Sequence, residues 1–401
     1  MNILNDKFKM SGTGANFEKF LEAVKILTEG TKIETLHSNE IEVFSHCPLS
    51  LPPDKNGRKL PEPGKEVFFK LPVEAIIEFL DNYKKPSIAQ TAKSDFIGNL
   101  LNEDIETTGL IFVANNNKYL LSEHALTLLL KNIGIGAGKA KRNSGLIRDM
   151  YIAQSLYETN SKLNYIIREY TENGLTNRKI FSVVGKYFGL IPHDVITHTY
   201  EAFTTAKVRE WSITQEETRL YFEFPDMAQK YKDETVTPGI ILSNSDTGDS
   251  FKIWLVLRNS NSYVIVKESN LQHMKSYDYY TGVVDICNNF INEVFNVYET
   301  LDNYARVNIK SDNEGGVITS LSALIKKTIG RPFPDNRRNQ IIENLTAELD
   351  TSKEYTLTDL IIMIMRAPYM QESSENGINP QSLYELRCQC GMDVFKVINR
   401  P

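Results

Sequence analysis

The sequence predicts an α+β fold: an antiparallel sheet of about five strands packed by helices, with a helical C-terminal part and a separate N-terminal region. Three observations predict it. Five segments between 208 and 267 alternate apolar and polar residues, the pattern of strands buried on one face. Apolar residues recur at helical spacing before and after them, most clearly from Thr281 to Ala305. The order is helices, then strands, then helices, which is not the βαβα alternation of a doubly wound sheet.

The elements follow in order. A polar patch at Ser11 to Asn16 precedes an amphipathic helix marked by Phe17, Phe20, Leu21, Val24 and Leu27. Residues 48–66 hold five prolines and two glycines, which excludes a helix or a central strand and predicts an extended loop. A helix is expected over 72–83. Gly109 to Val113 reads as a strand, Asn115 to Asn117 as a turn and Tyr119 to Leu121 as the returning strand. Ser122 is the N-cap of a helix over 124–131. Glycines 134, 136 and 138 end it, and Leu146 to Ile167 is read as helical again. A strand at 178–188 and a helix from Asp194 to Ala206 lead into the strand cluster. Its segments are Val208 to Ile213, Arg219 to Phe224, Gly239 to Asn244, Ser250 to Leu257 and Tyr263 to Lys267. In the second, Leu220, Phe222 and Phe224 alternate with Arg219, Tyr221 and Glu223. Beyond the long helix, helical segments are expected at 317–329, 337–349 and 356–366. The expected organisation is therefore an α-rich region over 1–104 with its proline-rich loop, a core over 105–305 and a helical region over 306–401.

The chain has 401 residues, of which 41% are hydrophobic and 24% charged, which excludes collagen-like and wholly disordered classes. Its 51 acidic and 45 basic residues give a net charge of -6, which excludes a general polyanion binder. Cys47, Cys287, Cys388 and Cys390 form no disulfide framework and read as reduced thiols. No basic-then-apolar leader pattern occurs in the first thirty residues. The longest apolar run, Leu360 to Met365, is far shorter than the roughly 20 residues that span a bilayer. The expectation is a cytoplasmic protein with no membrane partner. Abundant asparagine and tyrosine, with AT-rich codons, fit a low-GC bacterial host.

Two tracts invite chemistry. Gly134 to Ser144 has a glycine-lysine pair, but Ile133 stands where a phosphate loop needs its first glycine and Ala140 where it needs a hydroxyl. A basic connection is the better reading. Lys139, Lys141, Arg142 and Arg148 lie on or beside it, and Arg178, Lys179, Lys186, Lys207 and Arg209 extend the strip. Residues 139–211 hold eleven Lys or Arg against seven Asp or Glu, a local net of +4 that leaves -10 elsewhere. Interleaved aromatics, among them Tyr165, Tyr170, Tyr187, Phe188 and Trp211, suit phosphate-backbone binding with stacking. A solvated surface over core aromatics is the plainer reading. The second tract, Thr237 to Ser250, passes from Gly239 and an apolar run into Ser243, Asn244, Ser245, Asp246 and Gly248, the composition of a turn. Its polar side chains either satisfy their own backbone or form a binding loop. Asp246 and Asp249 are weak evidence for a cation. His193 and His198 are not spaced as a metal-binding pair, and no nucleophile elbow or deaminase signature occurs. No cofactor, metal set or catalytic residue is called for.

Taken in order, these stretches resemble a broad family of phage- and plasmid-encoded proteins defined by a domain of unknown function. Tyr119 to Arg142 is similar to its early helix and loop, and Thr218 to Phe224 to the strand before its signature. Pro238 to Leu257, reading PGIILSNSDTGDSFKIWLVL, resembles the signature itself. TLTDLIIMIMRAP and LYELRCQCG resemble its C-terminal helices. The resemblance spans about 105–395 discontinuously, departs at RNSNSYVIVKE after the hairpin, and finds no counterpart for 1–104. It implies a mobile-element setting and carries no activity or catalytic residue. The leading expectation is a non-catalytic phage or prophage protein that binds single-stranded DNA through the basic strip. The alternatives are a protein-binding module, such as an anti-defence inhibitor of a host protein, and a metal-dependent phosphoryl-transfer enzyme using Asp246 and Asp249.

Overall fold

A computed structural model describes residues 8–48, 66–70, 109–133, 145–172, 174–214, 217–245, 250–260, 262–308, 343–350, 353–372 and 383–391. The fold is α+β with a helical C-terminal part, but its strands form two seven-stranded sheets where one of about five was expected. The first runs in the order β1 (Lys9–Thr13), β9 (Lys207–Thr214), β10 (Glu217–Glu223), β12 (Glu234–Ser245), β13 (Phe251–Asn259) and β14 (Ser262–Leu271). A short β11 (Gln229–Tyr231) pairs with β12, and every pairing in this sheet is antiparallel. The second runs β2 (Thr31–His37), β7 (Lys162–Glu172), β8 (Leu175–Val184), β6 (Asn117–Leu121), β5 (Gly109–Ala114), β3 (Glu42–Pro48) and β4 (Glu66–Lys70). β6 and β8 pair in parallel.

Several elements lie where the sequence pattern puts them. The β5–β6 hairpin turns through Asn115 and Asn116, both at positive φ (50° and 62°), which asparagine tolerates and a two-residue hairpin requires. The Ser122 side chain accepts from the Ala125 amide at 3.0 Å and starts α2 (Glu123–Asn132). Asp278 caps the long α5 (Tyr279–Tyr304), and a Thr356–Asp359 capping box opens α6 (Leu357–Met365).

Other expectations are corrected. The polar patch at Ser11 to Asn16 contains most of β1, which pairs with β9, and β2 pairs with β7, so the N-terminal residues are strands of both sheets and do not stand apart. The helix expected over 146–167 is α3 (Gly145–Thr159) only. Asn160, at φ 40°, breaks it, and the β-branched pair Ile166–Ile167 then lies fully buried in β7. The helix expected to reach 206 is the short α4 (Val195–Glu201). The proline-rich loop and the helices expected over 72–83 and 317–329 lie outside the described residues; within 337–349, residues 343–347 are helical.

Packing explains why two sheets hold together. Helix α1 (Phe17–Gly30) runs from β1 of the first sheet to β2 of the second and buries Phe20, Ala23, Val24 and Leu27. The Phe20 ring lies 5.5 Å from that of Trp211 on β9. The same core takes Phe222, Leu242 and Leu255 from the sheet and Val283, Phe290 and Val294 from α5. A second core lies between the other sheet and α2 and α3, with Phe112, Leu129, Met150, Leu156 and Ile167. The β7–β8 register slips by one residue at Phe181. A bulge redirects side chains, and Phe181 joins the first core while Ile180 and Val183 stay in the second.

Leu27→Ala removes a fully buried side chain at this joint. It should cost about 2–5 kcal/mol in urea unfolding, with both sheets still lost in one transition. A loss below about 1 kcal/mol, or two separate transitions, would show that α1 does not couple them.

Candidate functional site

Residues that alternate with the core positions of the first sheet face outward. On β10 these are Glu217, Arg219, Tyr221 and Glu223, and their cross-strand neighbours include Ser212 and Glu210 on β9 and Ser243 and Ile241 on β12. Part of this face is apolar: Tyr221, Ile241, Trp254, Val256 and Ile265 form a small cluster against Tyr384 and Cys388 of the helical stretch 383–391. The Trp254 indole N–H donates to the Tyr384 hydroxyl at 3.1 Å and seats that stretch on the sheet. Beside it a groove of about 600 Å³ opens over β1, β9 and β10.

Among the described residues, three cations border the groove. Lys9 on β1 is exposed. Arg219 Nη2 donates to both carboxylate oxygens of Glu217 at 2.9 and 3.2 Å, and its guanidinium lies 5.6 Å from the Trp254 ring. Arg387 lies 3.9 Å over the Tyr263 ring, donates to the Tyr263 hydroxyl at 3.0 Å and binds Glu372, the last residue of α7 (Ala367–Glu372), at 3.0 Å. Both arginines have a buried Nε with no hydrogen-bond partner among the described residues. Hydroxyls of Ser11, Thr13, Ser212 and Thr214 fringe the groove, and Glu210 and Glu372 complete its charged lining. Burial holds the Tyr221 and Tyr263 phenols above their ordinary range, so both stay neutral at pH 7.

The floor is braced from below. Tyr221 donates to Glu223 at 2.6 Å, and Arg258 grips the same carboxylate at 2.5 and 3.1 Å. Burial pulls the Arg258 pKa down, but the Glu223 hydrogen bond and charge outweigh it and the net direction is up. Any Cβ at Gly239 would lie 2.7 Å from both the Phe222 carbonyl oxygen and the Tyr221 ring, so a glycine here lets the ring lie flat on β12.

The described members of the expected basic strip are divided between the two sheets. Arg178 and Lys179 lie on β8 of the second sheet, while Lys207 and Arg209 lie on β9 of the first. Arg178 is engaged by Glu169 at 2.5 Å, which Lys32 also contacts at 2.9 Å. Lys179 is 4% exposed and lies 5.7 Å from the Phe181 ring. It is withdrawn from the position of a phosphate contact, because alternation on β8 turns it inward. Lys186 is exposed beside the Tyr187 ring. Lys207 and Arg209 are exposed, Arg209 as the extra residue of a bulge opposite Tyr221 and Phe222. Arg148 falls in the first turn of α3, and Lys139, Lys141 and Arg142 lie outside the described residues.

The signature segment is also corrected. Ser243, Asn244 and Ser245 are not turn residues but the buried end of β12. Ser243 donates to the Glu217 carboxylate, and Asn244 donates to the Ile191 carbonyl at 3.0 Å. Their polarity serves long-range contacts and not a local turn. Asp246, Gly248 and Asp249 lie outside the described residues.

Sequence reasoning identified the polar face of β10 but missed Lys9, Tyr263 and Arg387 as its neighbours. Their separation along the chain leaves no local signal. In comparisons with family models, curated proteins and solved structures, nothing matches this chain.

Glu223→Ala would leave Arg258 and the Tyr221 hydroxyl without their shared acceptor. It should cost about 3 kcal/mol in chemical denaturation. Pairing Glu223→Leu with Arg258→Met should recover most of that loss, and equal losses from both variants would contradict the brace.

Proposed function

We propose that this protein is a non-catalytic nucleic-acid-binding protein whose working surface is the outer groove of the first sheet. The observation that carries the reading is the set Lys9, Arg219 and Arg387 around a hydroxyl-fringed groove backed by Tyr221 and Tyr263. Guanidinium forks and hydroxyls suit phosphate oxygens. Tyr221 is buried and Tyr263 lies under Arg387, so the groove addresses backbone phosphates and not base faces. Lys207 and Arg209 stand on the same strand as the groove residues Glu210 and Ser212, so they extend the path along β9. The carboxylates Glu217 and Glu372 temper the positive charge, so binding is of moderate strength and sensitive to salt. The mobile-element setting implied by the signature resemblance belongs to this reading, as does a role in handling phage DNA.

A second reading, a protein-binding module such as an anti-defence inhibitor, draws on the division of the basic strip between two sheets. It also draws on β1, a sheet-edge strand along which an extended peptide can add.

Fluorescence anisotropy with single-stranded DNA tests the first reading. Binding is expected at low salt, with a log–log salt slope of about -2 for three neutralised phosphates. Arg219→Glu and Lys9→Glu should each weaken it several-fold, and Arg178→Glu should leave it unchanged. Absence of binding, or loss through Arg178 alone, contradicts the groove and moves the weight to a protein partner.

A further inference from the structure

A second cavity of about 370 Å³ lies where the loop after β8 meets the start of α5. Its walls are Phe188, Tyr277, Tyr279 and Tyr280, with Asp278 and Lys275 at the rim. The two loops are clamped together. Phe188 and Met274 form an antiparallel bridge, the Gly189 amide donates to the His273 carbonyl at 3.2 Å, and His273 Nδ1 lies 3.0 Å from the Gly189 carbonyl. Phe188 stacks on the His273 ring at 4.4 Å.

The aromatic walls are fixed, and the Tyr279 and Tyr280 oxygens are committed. Tyr279 donates to the Gln272 carbonyl at 2.7 Å and accepts from the Met274 amide at 2.5 Å. Tyr280 donates to Asp194 at 2.8 Å. The Tyr277 ring lies 4.9 Å from that of Tyr279, and its hydroxyl sits over Gly282, where any Cβ would come within 2.1 Å. Asp278 is likewise committed: Oδ1 accepts from the Tyr280 and Thr281 amides at 3.1 and 3.3 Å, and Oδ2 from the Thr281 hydroxyl at 2.7 Å. Those bonds, the Thr281 hydroxyl first, hold its carboxyl below the usual range, so it is charged at neutral pH.

We propose that this cavity binds a quaternary ammonium group, enclosed by Phe188, Tyr277, Tyr279 and Tyr280 with Asp278 as its counter-charge. A primary ammonium carries three N–H donors that need acceptors. Here the Tyr279, Tyr280 and Asp278 oxygens already hold hydrogen bonds, and the Tyr277 hydroxyl alone offers too little for three donors. A trimethylammonium has no donor to satisfy and is attracted to ring faces and to net charge. Two features oppose a cation, the positive end of α5 and Lys275. Asp278 caps the first. The second is exposed at the rim, where water screens it.

Calorimetric titration of the full chain with choline tests the site, with ethanolamine as the N–H-bearing control. Choline should bind saturably, and ethanolamine about tenfold more weakly or worse. Tyr277→Ala and Asp278→Asn should each weaken choline by about tenfold, while Tyr277→Phe retains it. Asparagine is itself a good cap, so the helix start survives the second variant. Free trimethyllysine, run in parallel, separates a modified side chain from a small soluble cation, and the tighter ligand names the source. Binding of neither, equal binding of ethanolamine, or indifference to Tyr277→Ala overturns the proposal.

Discussion

Packing of Phe20 and Leu27 into the core that holds Trp211 of one sheet and Phe181 of the other ties the two sheets together. The tie is covalent as well, since α1 leaves β1 and enters β2. Any Cβ at Gly30 would come within 2.7 Å of the Glu169 carbonyl oxygen, so the chain enters the second sheet at van der Waals limits. Because β1 sits at the sheet edge beside β9, the same helix also carries Lys9, Ser11 and Thr13 to the rim of the groove. The groove therefore depends on a segment that is remote in sequence and has little hydrophobic content of its own.

The first sheet divides its faces unequally. Its inner face is covered by α1, α4, α5 and α6, which bury a continuous run of aliphatic and aromatic side chains. Its outer face keeps an apolar patch that packs against Tyr384 and Cys388, while Leu386 and Cys390 of the same stretch join the inner core. Burying Glu223 and Arg258 there is tolerable because the fork satisfies both oxygens and Tyr221 adds a third donor. This brace holds Tyr221 flat and leaves Arg219 to reach sideways over Trp254.

Period-two patterning made β10 and β13 readable, because their core-facing residues alternate along the chain. Capping chemistry made the start of α2 readable at Ser122, whereas the caps at Asp278 and Thr356 came to light only in the structure. The N-terminal strands were not readable. β1 has the sequence KMSGT, and its strand character comes from pairing with β9 and not from propensity. β7 was hidden for the opposite reason: its apolar residues follow closely on those of α3, and only Asn160 and Ser161 separate the two elements. Ser243 to Ser245 misled because serine and asparagine are common in turns, yet here they are buried and bonded to Glu217 and Ile191. The groove was half legible. Arg219 and Tyr221 were visible as an outward face, whereas Arg387 and Lys9 arrive from opposite ends of the chain.

Photocrosslinking of a 4-thiothymidine oligonucleotide to the full chain, with the sites mapped by mass spectrometry, addresses the groove most directly. The account predicts crosslinks in β9 and β10 and in the 383–391 stretch. Crosslinks confined to β8 and the residues before it, or to Tyr187, would contradict it.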